Sequence, residues 1–390
     1  DSSTSRGLGD VYKRQICMSI IMGCSTSTSS TKALVDYVDP NIGTAHCRWF
    51  FYTPAAIPFG MAKLAPSTDA HLGNPGGWQA VGYDFRHTSI EGFANFHEFQ
   101  VGGVVFAPTV GELQTVPGEL ENPDGGYRSR FDKKDEVAAP GYYSVLLKDY
   151  GVKAELTAMK RVGFHRYTYP KTELANLIFD IGNKQGESGE VKDAEVQYFE
   201  DGRVEGYVIT SPVYVNIYQK GADVRMYFSA VLNKKPVQVG TFVKDVVNPG
   251  KHQEKGPGAG LYMTFSTEEQ EAVEVKVGLS YTSIENARFN RETEAADVTF
   301  DQAKKNATDV WNESLSRIYV EGGKETDKVK FYTGLFHALL GRGLASDANG
   351  YYPKNNGTVG RIALDEEGNP VHQHYNTCLL YTSDAADDLI

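Results

Sequence analysis

"APGYYSVLLKDYGVKAELTAMKRVGFHRYTYP", residues 139–170, decides the class of the fold. Its two runs, 141–159 and 161–170, alternate apolar with polar residues and are rich in aromatic and β-branched side chains. That period of two belongs to strands with one face on a core. The pattern continues along the chain. "YFEDGRVEGYVIT", residues 198–210, reads as a hairpin turning at Asp201-Gly202, and "VRMYFSAVLN" (224–233) and "AVEVKVGLSYTS" (272–283) extend the series. From Val35 to about Ala287, strand follows strand with Gly, Pro and Asp between them, which predicts a large antiparallel β-sandwich in a mainly β protein.

Near Thr293 the period changes. "EAADVTFDQAKKNATDVWNESLSRI", residues 294–318, sets Val298, Phe300, Ala303, Val310, Leu315 and Ile318 within one helical stretch. A second run, 326–343, stacks Val329, Phe331, Leu335, Phe336 and Leu339. The expected organisation is a β domain over 35–290, a linker helix over 291–323, and the start of a helical domain over 324–377.

Composition narrows the function. The 390 residues carry 41% hydrophobic and 12% aromatic content, enough for a substantial core, and a formal net charge of −11. An acidic chain with no basic stripe argues against nucleic acid as a partner.

Both ends read as foreign text. Reverse-translated "DVYKRQ" (10–15), complemented and shifted by one base, reads "CLLYTS", which is residues 378–383. A sequencing adapter joined to both ends of a DNA fragment produces that relationship. Residues 1–15 and 378–390 are therefore expected to be adapter-derived, and the native text to be truncated on both sides.

Residues 16–34 read as the end of a signal segment and a Ser/Thr tether. The apolar run is too short to span a bilayer. "IMGC", residues 21–24, resembles a lipoprotein processing box, with Cys24 the lipidated residue, so export to the periplasm or cell surface on a lipid anchor is expected, with no transmembrane helix. Of the four cysteines, Cys378 falls in the adapter text and Cys17 and Cys24 in the signal segment. Only Cys47 remains for the folded domain, which rules out a disulfide framework there.

Familiar site motifs are near-misses. "GPGAG" (256–260) precedes a strand, so it is a turn and not a nucleotide loop, and "HEFQV" from His97 lacks the second His of a zincin helix. "HQHYNTC" (372–378) loses its Cys to the adapter, leaving two solvated loop histidines. Residues 37–68 and 76–103 are rich in Gly, Pro, His and aromatics without alternation, and read as long loops, where function often resides. Aromatic faces beside polar donors suit a sugar, whose C–H faces stack on rings while its hydroxyls need partners. Composition equally allows these aromatics simply to pack beneath the loops.

"VDPNIGT" (38–44), "PFGMAKLAPST" (58–68), "VGYDFRHTSIEGFANFHEF" (81–99), the opening stretch, "VWNESLSRIYVEGG" (310–323) and "KFYTGLFHALL" (330–340) resemble, in order, the N-terminal half of glycoside hydrolase family 92. The resemblance implies a calcium-dependent, inverting exo-α-mannosidase that acts on mannose-containing glycans. It also implies an N-terminal β-sandwich on a C-terminal (α/α)6 barrel with the mannose pocket between them. By the same resemblance Trp78 is a stacking platform for the sugar and Asp347, in "ASDANGYY", a partner for mannose hydroxyls. His97 stands where the family has a His. Ala45 to Trp49 depart from the family's Gly- and His-rich run, leaving His46 and Trp49 as pocket contacts and suggesting altered leaving-sugar selectivity. The catalytic acid, base and calcium ligands are expected beyond residue 377, leaving no catalytic residue and no metal site in this chain. A non-catalytic carbohydrate-binding sandwich and an adhesion lipoprotein stay open as other classes.

Overall fold

The computed structural model describes residues 32–45, 52–68, 82–98, 101–185, 188–212, 216, 222–341, 343–354 and 357–375. Within one unit that begins at Leu34, the first strands are β1 (Ala65–Ser67), β2 (Ser89–Ile90), β3 (Gly92–Glu98), β4 (Val101–Val110), β5 (Ser129–Arg130) and β6 (Val137–Ala139). Then come β7 (Tyr142–Leu147), β8 (Val152–Ala158), β9 (Val162–Tyr169), β10 (Thr172–Asp180), β11 (Glu190–Tyr198) and β12 (Val204–Ser211). The β series continues with β13 (Val224–Leu232), β14 (Gln238–Val243), β15 (Val246–Pro249), β16 (Gln253–Lys255), β17 (Ala259–Thr267) and β18 (Glu271–Ser280). Three helices follow, α1 (Ile284–Ala295), α2 (Phe300–Leu315) and α3 (Glu325–Leu340), and a small hairpin, β19 (Tyr351–Pro353) with β20 (Val359–Arg361), comes last.

Two antiparallel sheets form the predicted sandwich. One has seven strands in the order β1-β3-β4-β10-β17-β14-β15, the other nine in the order β16-β11-β12-β13-β18-β9-β8-β7-β6. Phe106 and Phe179 of the first sheet meet Phe228 of the second, each with ring centroids 6.4 Å apart. In β18, Val273, Val275 and Val277 enter this core while Glu274 points out, opposite Arg166 of β9 and ion-paired with it at 2.7 Å. The hairpin at Asp201-Gly202 joins β11 to β12 as predicted, with Gly202 at φ 90°.

The reading of 76–103 as loop is corrected. Residues 92–98 and 101–110 are a strand hairpin, β3 with β4. Alternation is missing because this part of the seven-stranded sheet is buried on both faces: on its outer side Tyr127 and Leu113 pack with Ala107, Ile178, Phe242 and Tyr262. A strand with two dry faces reads as a continuous apolar run.

Helix begins earlier than the change of period near Thr293 suggests, since α1 starts at Ile284, capped by the Ser283 side chain. The helix lies against β18 where Gly278 has no side chain; a Cβ there would sit 2.1 Å from the Ala287 carbonyl oxygen. Helix α2 opens on a capping box between Thr299 and Gln302 and buries Phe300, Ala303, Ala307, Trp311 and Leu315 along one stripe. Val310 is only half-buried, and Ile318 lies beyond the helix, 48% exposed. In α3 the buried row is Tyr332, Thr333, Phe336 and Leu340, packed on Trp311, Val35 and Val38, whereas Phe331 is 37% exposed. The α3 run is apolar on more than one side, so period alone does not say which row meets the rest of the chain. Among the described residues no helix is long and apolar enough to cross a membrane.

Candidate functional site

Of the residues singled out by sequence, His97 and Asp347 are described; Cys24, His46, Trp49 and Trp78 lie outside the described residues.

His97 is on β3 and only 3% exposed. The Tyr52 hydroxyl donates to its backbone carbonyl, and the two rings lie 4.5 Å apart. Among the described residues neither ring nitrogen has a hydrogen-bond partner. Burial, reinforced by the nearby charge of Lys63, lowers the imidazole pKa to about 3. It is therefore neutral at physiological pH, able to give one hydrogen bond and accept another, and unsuited to hold a catalytic proton.

Segments flanking several loops converge beside it. Ser67 of β1 donates to Gln185 at 3.3 Å, and Gln185 packs against Gly102, the residue paired with His97 across the hairpin. Thr68 and Gly82, the described ends of the segment that contains Trp78, are joined backbone to backbone at 2.7 Å, and Thr68 bonds His87 at 2.8 Å. Beneath them Arg128, wholly buried, donates to the Thr68 carbonyl and pairs with buried Glu91 at 3.2 Å. An ion pair in so dry a place is strongly destabilising to break. It fixes Thr68 and Ser89 against one another.

Asp347 follows α3 and is fully buried. One carboxylate oxygen accepts from the Thr282 hydroxyl, the other from Asn290 Nδ2 at 2.7 Å. Asn290 Oδ1 in turn accepts the Ala348 N–H at 2.8 Å, and Asn349 donates to Asn286 at 2.8 Å. Arg161, paired with Glu294 at 2.6 Å, donates to the Ser346 carbonyl at 2.7 Å. Burial raises the Asp347 pKa to about 6 against the opposing pull of Thr282 and Asn290. Here each oxygen accepts a bond that clamps "ASDANG" to α1 and to Thr282 just before it. Phe96, beside His97, packs on Tyr281, beside Thr282, at 5.0 Å, so the His97 hairpin and the Asp347 clamp adjoin.

Sequence reading passed over Lys63, Arg128 with Glu91, and Arg161 with Glu294. The available signal was a lone charge inside an apolar run, as in "GMAKLAPS" (60–67) and "SIEGF" (89–93). His372 is exposed, as expected, while His374 stacks on Tyr352 at 4.5 Å. Among the described residues no three His, Cys, Asp or Glu gather as a cation would require.

The profile of the glycosyl hydrolase family 92 N-terminal domain matches residues 37–280, and that of the family 92 catalytic domain matches 286–380. The chain belongs to glycosyl hydrolase family 92. The two family 92 profiles meet between β18 and α1, where strands give way to helices. Among solved structures, a family GH92 alpha-mannosidase from Bacteroides thetaiotaomicron superposes with a TM-score of 0.79 at 28% identity, over 89% of this chain and 45% of that one. The same alpha-mannosidase in complex with mannoimidazole gives 0.78 at 27% identity, over 88% and 44%. A family GH92 inverting mannosidase from the same species, 21% identical over 86% of this chain and 44% of that one with a TM-score of 0.71, shares the fold. This chain thus spans about half the length of its solved family 92 relatives. No curated protein sequence matches it significantly.

Proposed function

We propose that this chain is the N-terminal part of an exported exo-α-mannosidase that removes non-reducing α-mannose, such as α-1,2-linked residues of N-glycans or mannans, with inversion. The observation that carries the reading is the likeness, at 27% identity and over 88% of this chain, to a family GH92 alpha-mannosidase in complex with mannoimidazole.

The described residues support a supply of shape and hydrogen bonds. Neutral His97, able to give one hydrogen bond and accept another, is suited to bond a sugar hydroxyl; Trp78, His46 and Trp49 remain the contacts that the family resemblance implies. Asp347 is wholly buried, so it would serve mannose hydroxyls only after the segment that covers it moves aside. Inversion needs an acid and a base roughly 6.5–9.5 Å apart. We assign both to the part of the relatives' catalytic domain that this chain does not span. Calcium, a hard cation, needs six to eight oxygen ligands; no acidic cluster among the described residues fits it, so no step here is routed through it. Lipidation at Cys24 would hold the enzyme at the membrane surface.

A non-catalytic carbohydrate-binding sandwich is disfavoured by α2 and α3, which a binding module does not need, and by the catalytic-domain match. The test compares this chain with a polypeptide extended through the whole catalytic domain, assayed on α-mannobiose with calcium or with chelator. Turnover only by the extended form, lost on chelation, is expected. Turnover by this chain alone would overturn the assignment of the acid and base.

A further inference from the structure

Two cavities, about 460 and 250 Å³, adjoin where the sandwich, α2 and the segment after α3 come together. They share Ile57, Lys160, Val310 and Gln373, and so form one groove. The larger falls within the roughly 300–1,000 Å³ of small-molecule sites.

Its lining has a definite chemistry. Ile57, Met159, Val310 and Pro370 form an apolar floor, beside the amides of Asn306, Asn369 and Gln373. Arg161 and Glu294 also face the groove, but neutralise each other at 2.6 Å. Lys160 and Arg317 are different: among the described residues neither side chain has a hydrogen bond or ion pair. The Lys160 backbone is fixed, its carbonyl accepting from Met61 at 2.6 Å and Ala62 at 3.1 Å.

The smaller end is walled by Phe59 and Tyr375, edge to face at 6.2 Å. Phe59 has φ 57°, a left-handed backbone that a bulky residue adopts only under constraint. Two bonds impose it, Phe59 N–H to the Leu339 carbonyl at 3.1 Å and Leu344 N–H to the Phe59 carbonyl at 2.9 Å. Strain held in this way is characteristic of ligand clamps.

We propose that this groove binds an acidic saccharide, its hydroxyls on the amides, its C–H face on the apolar floor and the Phe59 and Tyr375 rings, and its anionic group between Lys160 and Arg317. Bare phosphate would leave the rings and floor unused, and an acidic peptide would leave the amides without the dense hydroxyls they suit. The inference does not rest on the mannosidase reading, since no bond cleavage is involved.

Calorimetric titration of the chain with glucuronate and with mannose 6-phosphate tests it and separates carboxylate from phosphate as the anion. At least one of the two is expected to bind ten-fold or more tighter than mannose or inorganic phosphate. Lys160→Ala with Arg317→Ala should weaken that binding at least ten-fold at unchanged melting temperature, as both residues are exposed. Asn369→Ala should weaken it several-fold. Inorganic phosphate binding as tightly as mannose 6-phosphate, a glutamate-rich peptide outcompeting both sugars, or flat titrations with all probes would each overturn the proposal.

Discussion

Lys63, in the β-domain segment before β1, sends its ammonium to the backbone carbonyl of Leu340, the last residue of α3, at 2.7 Å, while only 2% of the residue is exposed. A cation at a helix C-terminus answers both the unpaired carbonyls and the negative end of the helix dipole. The bond ties strand-rich and helical parts together beside His97.

Lys63→Met keeps the volume and removes the donor. It should lower stability by about 1–3 kcal/mol, because the buried Leu340 carbonyl loses its partner. Urea denaturation measures the loss. The same variant should raise the His97 pKa, since the Lys63 charge is one cause of its depression, and NMR titration of the ring reads that shift.

Acid stability follows from the buried histidines. Burial holds His97 and His165 at about 3 and His337 at about 4, against 6.5 when free. Below 6.5 the unfolded chain takes up protons that the native state refuses, so stability falls as pH drops toward these values, by up to about 1.4 kcal/mol per pH unit per histidine. Asp347 opposes them. Raised from 3.8 to about 6, it binds its proton more tightly when native, and its contribution is lost as pH rises through that window. Asp347→Asn should therefore steepen the acid-side fall between about pH 4 and 6 by nearly one proton's slope. An unchanged slope in denaturation midpoints across that range would count against this account.

At neutral pH Asp347→Ala should cost about 1–3 kcal/mol, because Thr282 and Asn290 would keep buried donors without acceptors. Protection of the 345–350 amides in hydrogen exchange should fall with it.

Arg128→Met should cost about 3–5 kcal/mol by taking the guanidinium away from the buried Glu91 carboxylate. The double variant Arg128→Met with Glu91→Leu should recover a substantial part of that loss in thermal unfolding. Recovery would identify the single-variant loss as that of a broken buried ion pair.

Ile318, Tyr319 and Phe331 expose 48%, 64% and 37% of their surface around the helical hairpin. Apolar surface of this kind promotes association. Replacing Ile318 and Phe331 by Glu should shift the chain toward monomer in size-exclusion chromatography at little cost in melting temperature.

What the sequence determined by itself is periodic. Alternation in 141–170 and 198–210, the Asp201-Gly202 turn and the capped stripe of α2 are written in residues within a few positions of one another, so local chemistry was enough for a sandwich followed by helices. The resemblance that named the family likewise rested on short runs in order. Tertiary structure decided the rest. The β3–β4 hairpin does not alternate because both its faces are buried, the outer one at Ala107 by a cluster that draws on Tyr127, Ile178, Phe242 and Tyr262. The row of α3 that is buried depends on Val35, Val38 and Trp311. His97, with its pKa lowered, and Asp347, with its pKa raised, take their shifts from burial, and burial is a property of neighbours up to hundreds of residues away. Lys63 shows the limit most directly: in sequence it is one charge in an apolar run, and only the approach of Leu340, 277 residues later, shows what that charge is for.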